Sequence, residues 1–190
     1  MNPKRICAAL ALLLTPTLAM AHPGHDHAGL LSGISHPLLG LDHLLAMLAV
    51  GLWAAQQQGK ARWALPLAFV GSMLAGGLLG FAGLQMPLME TGIAASVLAF
   101  GLLVALAVRP PLALAAGLTA LFAVAHGVAH GLELPALSSP WGYAAGFVMA
   151  TAALHAAGFA LVRYLPQAAA PLVRILGAAS AVAGAWLLAA

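Results

Sequence analysis

Residues 112–134 read LALAAGLTALFAVAHGVAHGLEL, a run with no lysine, arginine or aspartate and a single glutamate near its end. About 20 such residues cross a bilayer as one helix, and a spanning segment must satisfy its own backbone polar groups. The rest of the chain repeats the pattern. Spans are expected at 36–55, 63–84, 91–108, 112–134, 142–165 and 172–190. The breaks between them are Gln56 to Arg62, Gln85 to Glu90, Arg109-Pro110-Pro111, Pro135 to Pro140 and Pro166 to Pro171. The expected fold is therefore all-α: a polytopic bundle of six transmembrane helices over 36–190.

Composition agrees. Of 190 residues, 63% are hydrophobic and 6% charged, with a mean hydropathy of +1.02. Soluble domains carry about a quarter charged residues, so that class is excluded. Twenty-one glycines and twelve prolines interrupt apolar runs, as both residues do in membrane helices. Gly76 and Gly80, and Gly127 and Gly131, have the spacing of close helix packing. The pI of 9.6 does not mark a nucleic-acid binder, because the bases form no stripe interleaved with aromatics. The one cysteine, Cys7, allows neither a disulfide within the chain nor a site of several thiolates.

The N-terminus reads as a signal peptide over 1–21. Lys4 and Arg5 precede the apolar run Ile6 to Leu14, and Ala19-Met20-Ala21 has the small-x-small form of a cleavage site. Cleavage after Ala21 leaves His22 as the first residue of a His-rich periplasmic leader, 22–35. His22, His25 and His27 in that leader suit metal capture. The remaining bases, Lys60, Arg62, Arg109, Arg163 and Arg174, lie in or beside the first, third and fifth breaks. The positive-inside rule places those breaks in the cytoplasm. A multi-pass protein of the bacterial inner membrane follows, with both termini in the periplasm.

Ionisable residues at membrane depth are costly and mark function. The first span contains His36, Asp42 and His43, with Met47 one turn further on; the fourth contains His126, His130 and Glu133; the fifth contains His155. His126, His130 and Glu133 share a helix face, and the i, i+4 histidines can grip one ion. On a regular helix His36 and His43 stand about 10 Å apart along the axis and would serve successive stations. Asp42 and His43, as helix neighbours, would not face each other, yet both could reach a site lodged between helices. Pro37 is expected at a helix start, with His36 at the rim. Met47 is a soft ligand or core packing, His155 a ligand or a helix-to-helix hydrogen bonder, and Glu90 and Glu133 are each a ligand or a solvated rim carboxylate.

Imidazoles with carboxylates and no thiolate suit a borderline divalent ion: nickel, cobalt, zinc or copper. Magnesium and calcium prefer oxygen. A permease for such an ion, captured outside and released inward, accounts for the leader and the carboxylates together. No Walker A sequence is present. A membrane metalloenzyme holding zinc on the same ligands is an alternative, although H-E-x-x-H is absent. Haem-based electron transfer, with His43 and His126 as axial ligands, is another.

The runs His36-Pro37-Leu38-Leu39-Gly40-Leu41-Asp42-His43, with Met47, Val50 and Gly51, and His126-Gly127-Val128-Ala129-His130-Gly131-Leu132-Glu133 resemble those of the HupE/UreJ proteins. The resemblance covers the whole mature chain. It implies permeation of nickel, or cobalt, for enzymes such as hydrogenase or urease, with no catalysis and no prosthetic group. It also implies a metal-handling set of His36, Asp42, His43, His126, His130 and Glu133. The larger nickel–cobalt transporter family has a related signature, but here five residues rather than four separate His36 from Asp42.

Overall fold

The computed structural model describes residues 25–134 and 139–190. The expected signal peptide, 1–21, and His22 lie outside the described residues. Seven α-helices follow in order: α1 His25–Leu39, α2 Leu41–Gln56, α3 Ala61–Phe81, α4 Met89–Ala105, α5 Leu112–Leu132, α6 Pro140–Tyr164 and α7 Ala170–Ala189. A short 3₁₀ turn, Gln167–Ala169, leads into α7. No strand occurs among the described residues.

By length and composition, α3, α5, α6 and α7 are each able to cross a membrane, and α1 with α2 makes a fifth candidate span bent by 81°. The chain is a multi-pass membrane protein. The expected third span is a shorter apolar helix, α4, of 17 residues. It stops early because Ala107 turns left-handed, with φ of 51°. Val108 N–H then donates to Leu103 O and Ala107 N–H to Val104 O, the reverse turn that ends many helices. Side chains from the end of α2 bond the carbonyls left over. Trp53 Nε1 donates to Val108 O at 2.8 Å, Gln57 Nε2 to the same oxygen at 3.1 Å, and Gln56 Nε2 to Val104 O at 3.0 Å.

The expected first span, 36–55, differs more. The helix begins earlier, at His25, and breaks at Gly40, whose φ of −78° and ψ of 114° are extended. Pro37 lies inside the last turn of α1 rather than at a helix start. Its missing N–H weakens that turn, and the extended Gly40 completes the break.

Glycines let the helices touch backbone to backbone. A Cβ on Gly76 or Gly80 would meet Val124 O or Val128 O of α5, and one on Gly127 or Gly131 would meet Met73 O or Gly77 O of α3. The two G-x-x-x-G runs thus face each other across one seam, and α3 runs parallel to α5. Gly101, Gly177 and Gly184 make the same close approach between α4 and α7. In a bilayer such contact replaces the hydrophobic effect, which does not act between helices surrounded by lipid. Outward-facing leucines, with Trp63, Trp141, Tyr164 and Trp186 exposed near helix ends, form a lipid-facing surface with aromatic girdles.

Candidate metal centre

The break at Gly40 builds the site. It swings His36, on α1, back toward His43, on α2, so the two are not successive stations along one axis. His36, His43 and His130 each offer a ring nitrogen, and these nitrogens lie within 4.8 Å of one another. The rings of His36 and His43 are 5.7 Å apart, and each is 4.8 Å from the ring of His130. Three helices thereby converge on a volume the size of one coordinated ion.

Each ring is held by a different kind of partner. Asp42 stands in the first turn of α2, where backbone N–H groups have no helical acceptor. Its Oδ1 accepts from the His43 backbone N–H at 2.7 Å and from the His43 ring at Nδ1, 2.8 Å away. Adjacent helix residues were not expected to face each other; at a helix start the carboxylate folds back and they do. A carboxylate only accepts, so Nδ1 carries the proton and Nε2 keeps its lone pair. That Nε2 is buried and has no hydrogen-bond partner in the protein. A carboxylate behind a histidine, fixing the tautomer and raising basicity, is the usual support of a metal ligand.

Glu133 caps the far end of α5 and its Oε2 lies 2.9 Å from His36 Nε2. That contact engages one His36 nitrogen and leaves Nδ1 as the other donor on the ring. His130 is fully buried, stacked on Phe147 at 4.9 Å with an interplanar angle of 8°, and neither ring nitrogen has a partner. Buried polar atoms are nearly always paired, so two orphaned nitrogens on one ring point to a ligand.

His126 sits one turn deeper, its ring 4.8 Å from that of His43. Its Nε2 is 2.9 Å from Ser96 Oγ, and Ser96 donates its one proton to Ile93 O at 2.6 Å. Ser96 must therefore accept from His126, which leaves His126 Nδ1 as a buried, unpaired lone pair. The i, i+4 pair His126 and His130 does not form the tight group; His130 closes instead with His36 and His43. A haem between His43 and His126 is excluded, because rings 4.8 Å apart leave no room for a macrocycle.

A cavity of about 430 Å³ opens onto the cluster, lined by His36, Asp42, His43, Glu90, Glu133 and Tyr143 among others. Three carboxylates in one mouth attract cations and repel anions. His155 is buried further in, its ring 5.1 Å from Phe69, which in turn lies 5.5 Å from His126. His25 and His27 fall in the first turn of α1.

The sequence matches the HupE / UreJ protein family over residues 10–187. The chain belongs to the HupE/UreJ family. It is 46% identical over 189 residues to Protein HupE of Rhizobium leguminosarum bv. viciae, covering 99% of each chain. No solved structure matches it. Within this HupE/UreJ protein, sequence reasoning missed Ser96, Tyr143, Phe147 and Gly40. A lone serine in an apolar span was the one visible clue to Ser96. The other three were hidden among the aromatics and glycines common to every membrane helix.

Proposed function

We propose that the protein is a secondary permease for a divalent transition metal, nickel first and cobalt second, that serves enzymes such as hydrogenase or urease. The HupE/UreJ family is associated with nickel and cobalt transport for those enzymes. The observation that carries the reading is the convergence of His36, His43 and His130, each with a nitrogen free for a ligand, beneath a cavity lined by Asp42, Glu90 and Glu133. Imidazoles select a borderline ion over magnesium or calcium, and the carboxylates offset the loss of its hydration. In this reading the cavity faces the periplasm of a bacterial inner membrane. The ion is captured there, exchanges waters for imidazoles, passes His126 and leaves on the cytoplasmic side. His22, His25 and His27 raise the local metal concentration at the mouth.

Uptake of radioactive nickel by a strain lacking its own nickel importer tests this directly. Expression is expected to restore uptake, and His36→Ala, His43→Ala and His130→Ala each to abolish it at unchanged protein in the membrane. No uptake on expression of the wild type would overturn the permease reading, and normal uptake by all three variants would remove the histidine cluster from the path.

A further inference from the structure

Deeper than the histidine cluster, two methionine sulfurs meet one hydroxyl. Thr151 Oγ1 donates toward Met47 Sδ at 3.3 Å and lies 3.7 Å from Met73 Sδ. All three residues are wholly inaccessible to solvent. A buried threonine on a helix ordinarily donates to a carbonyl three or four residues back. Thr119 does so to Ala115 O, as do the serines Ser35 to Ser32 O and Ser96 to Ile93 O. Thr151 turns instead to thioethers, which are weak acceptors.

The neighbours of this trio are equally unusual. His155 lies one turn beyond Thr151 on the same face of α6, buried, with neither ring nitrogen paired. Met47 lies one turn beyond His43 on α2. Met73 lies one turn beyond Phe69 on α3, and the Phe69 ring bridges His126 and His155. Along α2 and α6 the donors therefore continue inward from the outer cluster.

We propose that Met47, Met73, Thr151 and His155 form a second cation station, free of carboxylates, for a transition-metal ion of borderline or soft character. The proposal rests on the permease reading. Thioether and imidazole donors accept such an ion and discriminate against magnesium, calcium and sodium. The outer cluster is backed by Asp42 and Glu133, whereas these four side chains are neutral donors. A dication is held less firmly there, and the falling ligand charge lets it move on. Permeation needs sites strong enough to enter and weak enough to leave.

The test is nickel X-ray absorption on the full chain in detergent, in a C7S background so that no thiol is present whether or not residues 1–21 are retained, with nickel chloride added to one and then two equivalents. The first equivalent is expected to show nitrogen and oxygen neighbours only, and the second to add a sulfur shell. M47L/M73L, which nearly conserves volume, is expected to lose the sulfur shell and the second equivalent while keeping the first. Should that double variant fail to fold, M47L and M73L separately are each expected to lose part of the shell. Absence of sulfur at two equivalents, or its persistence in M47L/M73L, overturns the second station and leaves the outer one standing. Failure to bind any nickel overturns both.

Discussion

At the scale of single residues the site is a set of tautomers. His43 and His126 each keep one nitrogen bare because a neighbour occupies the other, and the two neighbours differ in strength. Asp42 binds His43 through a charged oxygen, whereas Ser96 binds His126 through a hydroxyl already committed to Ile93 O. Asp42→Asn is therefore more than a loss of charge. The asparagine amide can donate to His43 Nδ1, which moves the ring proton to Nε2 and blocks the lone pair that faces the cluster. Loss of such a support typically costs about 10–100-fold in metal affinity. Nickel titration of the purified variant is expected to show a fall in that range, with uptake abolished and membrane abundance unchanged. Wild-type affinity would mean that Asp42 does not set the His43 ring. For Ser96, alanine is expected to weaken uptake and threonine, which keeps the hydroxyl, to preserve it. Equal uptake by both would separate His126 from the path. Asp42 and His43 were legible in the sequence because charge in an apolar run stands out. Ser96 was not, since its role depends on which residue of another helix it meets.

Elements explain what periodicity could not. Six apolar runs were legible, and so was the close packing of the two G-x-x-x-G motifs, which meet across the α3–α5 seam. The break between α1 and α2 was not. Gly40 sits between leucines, and glycine inside a membrane helix is too common to signal a bend. Yet this break alone brings His36 to His43. A Cβ at Gly40 would come 3.0 Å from Asp42 Oδ1 and 3.3 Å from His43 Nδ1. The backbone there tolerates alanine, so the crowding falls on the Asp42–His43 pair. Gly40→Ala is expected to reduce nickel affinity while leaving the thermal unfolding midpoint near wild type. Unchanged affinity would show that the pair has room to spare. Gly127→Leu should behave in the opposite way. It drives a side chain into Met73 O and Gly77, and overpacking of this kind costs about 1–3 kcal/mol or more. Its expected outcome is a lowered unfolding midpoint and less protein in the membrane. Wild-type stability would mean that the seam can open without cost.

The whole molecule is organised by charge. α5 begins just after Arg109 and ends at Glu133, and α3, which begins after Lys60, runs parallel to it. Lys60 and Arg109 line a cavity of about 320 Å³ with Gln57, while Asp42, Glu90 and Glu133 line the histidine cavity at the far end of the same helices. Arg174 joins the basic end, its Nε donating to Ala105 O at 2.7 Å. Bases at one face and acids at the other orient the bundle, because cytoplasmic loops retain lysine and arginine. On that rule the acidic mouth is expected to face the periplasm, and a dication that crosses toward a negative interior gains about 4.6 kcal/mol per 100 mV, twice the single-charge value. The membrane potential can therefore drive accumulation without a coupling ion; the orientation decides which end of the path captures the ion. A reporter fused after Ala190 checks it. α7 carries Arg174 near its start and no charge after it, so its far end is expected in the periplasm. A phosphatase that folds only in the periplasm should be active there, and a fluorescent protein that matures only in the cytoplasm should be dark. The reverse pattern would put the carboxylates on the cytoplasmic side, and the acidic cavity would then be the place where an entering dication leaves rather than the place where it is captured.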